Sequence, residues 1–283
     1  MPWWGWALVG WIGLSVVLAP LIGIALREAD AREREVLGAA PARAARVRRR
    51  RIPLPPLSAA LLLTGISLEA VGFVVRTSGN ERGAGRLWSM DLPLAVPRMF
   101  VAALFAAAAL AALLGAARAT GRRPWWLAVG LIAAVIAQVK AGGTVHVDAL
   151  RTLGVNDRPL LATIGSAAVA GAVIAALFVL SRKERRDRRR VLTALAIYAV
   201  AAAGLSGVSA LVDQAGASAF WVAAATFVEE SGEVLGGVAV LTAVLVGVAP
   251  RLVLPAAWAL RRRADAETVD APAPQRRPGD LHW

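Results

Sequence analysis

Ser218–Gly247 reads SAFWVAAATFVEESGEVLGGVAVLTAVLVG, thirty residues in which only Glu229, Glu230 and Glu233 are ionisable. At about 1.5 Å of rise per residue such a helix is longer than the ~30 Å hydrocarbon core of a bilayer. A stretch this long and this apolar reads as a transmembrane helix. Ionisable groups inside it are costly unless they are paired or wetted, so the same stretch marks a functional site.

Working outward, comparable apolar runs recur near 4–26, 57–76, 93–117, 125–142, 160–181 and 191–212, so that with 218–247 the chain predicts seven transmembrane helices. Barrel strands would alternate apolar and polar residues over about ten positions, and these runs, rich in Ala, Leu and Val, do not. The predicted fold class is therefore all-α, a polytopic membrane helix bundle over residues 1–263. Residues 264–283, with Pro272, Pro274 and Pro278, have the composition of a disordered cytoplasmic tail.

The formal charge of +13 would suggest nucleic acid in a soluble protein, but here the arginines fall between the apolar runs. Nine lie within Arg27–Arg51, which ends in the run Arg48, Arg49, Arg50, Arg51, and further clusters occupy 118–123, 182–190 (RKERRDRRR) and 251–263. The intervening segments 77–92, 143–159 and 213–217 are poorer in positive charge. By the positive-inside rule the N-terminus is expected outside and the C-terminus in the cytoplasm. The predicted partners are the lipid bilayer and, at Arg48–Arg51, anionic headgroups, each basic residue near the surface contributing about 1 kcal/mol. No nucleic acid is expected, and a protein partner is not identified. Two lysines against thirty arginines fit a GC-rich bacterial genome, hence a bacterial inner membrane.

The opening MPWWGWALVGW has neither the basic segment nor the small-residue cleavage site of a signal peptide and reads as a retained first helix. Trp88, Trp125, Trp126 and Trp221 stand at the starts of runs, where interfacial belts place indoles. The chain has no cysteine, which removes disulfides, thiolate metal sites and cysteine nucleophiles. With only His146 and His282, a zinc hydrolase or a bis-histidine haem lacks its ligands. No metal and no cofactor is assigned from the sequence, and an enzymatic role is disfavoured.

On a helix turning about 100° per residue, Glu229, Glu233 and Glu230 fall at roughly 0°, 40° and 100°, one face. Gly232 and Gly236 lie on or beside that arc in a small-xxx-small pattern that admits a neighbouring helix. Three carboxylates this close cannot all carry charge in a dry site, so at least one holds a proton or shares a cation. Glu69, within TGISLE of the second run, lies at a similar depth and joins the candidates. Lys140 and Arg98 stand at run ends on the same side. Taken alone each reads as a snorkelling residue, and taken with the acids as a counter-charge. The segment 142–159 adds His146 and Asp148 at the mouth, His146 by itself reading as a loop histidine.

The stretch Glu229-Glu230-Ser231-Gly232-Glu233-Val234-Leu235-Gly236 resembles the E-E-x-x-E-x-x-G motif in the last helix of bacterial multi-pass membrane proteins without an established activity. Such chains also carry a D-E/H-E segment after an earlier helix, whose nearest counterpart here, Lys140 through His146 to Asp148, has a lysine and glycines instead. The resemblance covers the second half of the chain. It implies the importance of the three glutamates and names no substrate. The functional expectation is proton- or cation-coupled movement of a small solute or ion. A non-catalytic scaffold docking partners through the Gly-rich acidic helix is the alternative, and a carboxylate-dependent lipid-modifying enzyme is a third.

Overall fold

The computed structural model describes residues 55–118, 120–144, 148, 151–152, 159–181 and 185–254. The first predicted run (4–26), Arg27–Arg51 with its lipid-facing arginines, His146 and the tail after Leu254 lie outside the described residues. What is described is helical: α1 (Pro56–Thr77), α2 (Val96–Arg118), α3 (Arg123–Lys140), α4 (Pro159–Leu180) and α5 (Arg185–Ala199). A π-helical turn, Val200–Leu205, carries α5 without a break into α6 (Ser206–Gln214), followed by α7 (Ala219–Val248) and a final turn, α8 (Pro250–Val253).

Among the described residues, four helical stretches are long and apolar enough to cross a membrane: Pro56–Thr77, Val96–Arg118, Asp187–Gln214 and Ala219–Val248, with Ile164–Leu180 a shorter apolar helix. The distribution of side chains is that of a protein solvated by lipid. Leu110, Leu114, Leu131, Val169 and Leu211 face outward, while Glu69, Lys140, Thr226, Glu230 and Glu233 are buried. In water this arrangement would be inverted. In hydrocarbon it is required, because polar groups must find partners inside the protein. The chain is thus a helical membrane bundle with a buried acidic cluster.

Helix α7 is the axis. It packs against α1, α2, α5 and α6, whereas α3 packs chiefly on α2 and α4 on α5. The α1–α7 pair is antiparallel: Ser58 at the start of α1 meets Thr242 through their hydroxyls at 2.7 Å, and Arg76 at its end reaches Thr226 at 3.4 Å. Interpolating between those two contacts sets Glu69 opposite positions 232–233 of α7.

On its other side α7 receives α5 through Gly232 and Gly236. A Cβ at Gly236 would lie 2.6 Å from the Tyr198 Cα, and one at Gly232 would lie 3.0 Å from the Ala201 Cβ. The two backbones meet because neither glycine has a side chain, as small-xxx-small packing requires.

Two expectations change. Trp125 and Trp126 do not join an interfacial belt: Trp126 is 1% exposed and Trp125 is buried beside it, both within the α2–α3–α7 core. Gly247 on α7 leaves room for the Trp126 ring, and Gly115 on α2 leaves room for Val248 beside it. Trp221 by contrast faces outward. The basic stretch 182–190 is not all turn, since α5 begins at Arg185 and buries Asp187 against Arg122 at 2.6 Å. That ion pair ties the 182–190 segment to the 118–123 turn, and Arg122 also lies 6.0 Å from the Trp126 ring centre.

Candidate functional site

Lys140 is the last residue of α3, yet only 5% of it is exposed. Its Nζ donates to Glu230 Oε2 at 3.1 Å and forms an ion pair with Glu233 Oε2. The snorkelling reading therefore fails. Glu230 lies eleven residues into α7, about 17 Å from its start at 1.5 Å per residue, so the end of α3 faces the body of α7 rather than its tip. The lysine turns inward to pair with these acids.

Arg98 holds that end in place. Its Nε donates to the Lys140 carbonyl at 3.5 Å and its Nη1 to the Asp91 carbonyl at 2.9 Å. Cations at a helix C-terminus are favoured by the partial negative charge of its free carbonyls, which suits both Lys140 and Arg98. Arg98 thus acts on the acids through its field and on Lys140 through the backbone.

Each acid of α7 has its own surroundings. Glu233 accepts from Lys140 and lies in hydrogen-bonding reach of the Tyr198 hydroxyl, whose ring packs edge-on against Phe105 at 4.6 Å. Glu230 is held by Lys140. Glu229, half-buried on the opposite flank, accepts from Ser209 Oγ at 2.7 Å and also interacts with Ser206. One oxygen from each of the three carboxylates lies within 4.8 Å of the other two.

Glu69 differs from all of them. It is 0% exposed, and among the described residues neither carboxyl oxygen has a hydrogen-bond partner. Its charge interacts with Glu230, Lys140, Glu233 and Arg98, in keeping with its register opposite 232–233. The structure thereby brings Glu69, Glu229, Glu230, Glu233, Lys140 and Arg98 into one region.

Asp148 is not brought there. It is exposed and pairs with Arg151 at 3.6 Å, one turn along its own segment. Tyr198, Ser206 and Ser209 escaped the sequence reading. The chain's single tyrosine, placed inside an apolar run, was the one available signal for them. A second polar patch above the cluster was also missed: Arg76 bonds Asp91 at 3.2 Å and Thr226 at 3.4 Å, and Ser89 donates to Asp91 at 2.8 Å. Thr226 precedes Glu230 by one helical turn, so this patch abuts the acids.

No family model, characterised protein or solved structure matches the chain. The chemistry of the site is read from its own geometry. Groups of opposite sign are gathered where water is scarce, donors are supplied to three acids, and the fourth acid is left without one. Such a cluster can hold and exchange protons or bind a cation, and its net charge decides what it attracts.

Proposed function

We propose that this protein is a carrier of the bacterial inner membrane that moves a small solute or ion coupled to protons or a cation. In this reading Glu229, Glu230, Glu233 and Glu69 carry the exchangeable charge and Lys140 and Arg98 are the fixed counter-charges. The observation that supports it is Glu69, fully buried beside a charged cluster and given no donor among the described residues. A structural knot would satisfy every member, since a half-satisfied buried network costs stability.

The reading extends to topology: seven spans with the N-terminus outside, in line with the arginine-rich segments, and Arg48–Arg51 against anionic headgroups. The scaffold alternative is weakened because the Gly232–Gly236 face is covered by Tyr198 and Ala201 of the same chain. The lipid-enzyme alternative is weakened by the burial of Glu230 and Glu233 among helices.

The test is carboxyl-region infrared difference spectroscopy of the purified protein in lipid, scanned across pH and common cations. A carbonyl band that responds to pH or to one cation and is lost in Glu69→Gln or Glu233→Gln is the expected result. A band indifferent to both would reject the carrier reading in favour of a sealed structural knot.

A further inference from the structure

Four acids and two cations share the site, so with every carboxylate ionised Glu69, Glu229, Glu230 and Glu233 exceed Lys140 and Arg98 by two negative charges. A buried site does not tolerate such an excess, and it is cancelled either by protons on two of the acids or by bound cations of total charge two. A single divalent ion does this alone, whereas a monovalent ion needs a proton on one acid beside it.

The donor geometry points the same way. The three α7 carboxylates each offer an oxygen within 4.8 Å of the others, a spacing that one ion with metal–oxygen distances of about 2.1–2.6 Å can bridge. Lys140 engages Oε2 of Glu230 and of Glu233. A carboxylate has two oxygens, so each of these residues keeps a second one.

Acidic clusters alone do not define a ligand, but Glu69 adds an independent sign. A carboxyl group that is 0% exposed, finds no hydrogen-bond partner among the described residues and interacts electrostatically with Glu230 and Glu233 is suited to an added positive partner. The donors are oxygens throughout, with no thiolate in the chain. Oxygen-only carboxylate sets suit hard cations of the magnesium, calcium and manganese type rather than zinc or copper.

We propose that the cluster binds one hard divalent cation, ligated by Glu229, Glu230 and Glu233, with Glu69 as a further negative charge beside the triad and with Lys140 and Arg98 as permanent counter-charges. The proposal rests on the carrier reading above and deepens it by naming the class of cation. Four negative charges then meet two from the side chains and two from the ion, and the site is neutral without displacing Lys140.

The experiment is a titration of the full-length protein in lipid nanodiscs with Mn²⁺, read by electron paramagnetic resonance, with Mg²⁺, Ca²⁺ and Na⁺ as competitors at constant ionic strength. One Mn²⁺ per chain is expected, displaced by Mg²⁺ or Ca²⁺ and not by the same concentration of Na⁺. Glu69→Gln and Glu229→Gln should each weaken Mn²⁺ binding at least tenfold while keeping the elution profile and helix content of the parent. Absence of stoichiometric Mn²⁺ on the parent protein overturns the proposal, and so does parent-like binding in both variants. Because the parent titration decides by itself, a variant that does not fold leaves the test intact. If Mn²⁺ does not bind but the infrared carboxyl band still responds to pH, the divalent site is wrong and the carrier reading stands. If neither responds, both fall.

Discussion

At the scale of single residues, Lys140 shows how position along a helix and position in a bundle diverge. The sequence places it at the end of an apolar run, where lysines reach for water. The structure places that end against the middle of α7, where its amine pairs with Glu230 and Glu233. Removing one member of a buried ion pair leaves the other uncompensated, at a cost of about 3–5 kcal/mol. Lys140→Met should therefore lower thermal stability in detergent by that amount. The triple change Lys140→Met, Glu230→Gln, Glu233→Gln should recover a large part of it, because no ionised group is then stranded. A neutral Lys140→Met would mean that the pair is solvated. Glu69 was legible in the sequence by its depth alone, whereas Tyr198, Ser206 and Ser209 were not: a lone hydroxyl in an apolar run carries no periodic signal, and its value lies in what another helix sets opposite it.

At the scale of elements, the seam between α5 and α7 turns on Gly236. A methyl group there would press on the Tyr198 backbone, which has no rotamer to give way, and overpacking of this kind costs about 1–3 kcal/mol. Gly236→Ala should destabilise by that order and loosen the Tyr198 contact with Glu233. Gly171→Ala on α4, where an added Cβ meets nothing within 4 Å, should be neutral or slightly stabilising. Thermal melts of the two variants side by side check this, and equal losses would remove the seam from the account. The glycine spacing was readable before the structure, because 232 and 236 share a face with the acids. Which helix it receives was not, since helix order is set by contacts between segments far apart in the chain. The burial of Trp125 and Trp126 was hidden for the same reason: the space for Trp126 is made by Gly247 on another helix.

At the scale of the whole molecule, the membrane fold was legible because hydrophobic length is a property of each run by itself. The sidedness proposed from the arginines has a direct check. The chain contains no cysteine, so single cysteines can report exposure without background. Glu81→Cys, in the segment between α1 and α2, should react with a membrane-impermeant maleimide on intact cells, and Gly121→Cys, before α3, only after permeabilisation. The reverse pattern would invert the topology. What no run could disclose is the π turn at Val200–Leu205, which has no proline to announce it. A π turn accommodates one residue beyond the α-helical count, so everything after it is rotated by about 100° relative to an uninterrupted helix. The membrane segment from Arg185 to Gln214 is therefore two helices out of phase on a single axis. Its first half presents Tyr198 to Glu233 and its second presents Ser206 and Ser209 to Glu229, so one strand of chain grips the acidic helix at two azimuths, like a thread that changes lead partway along a screw.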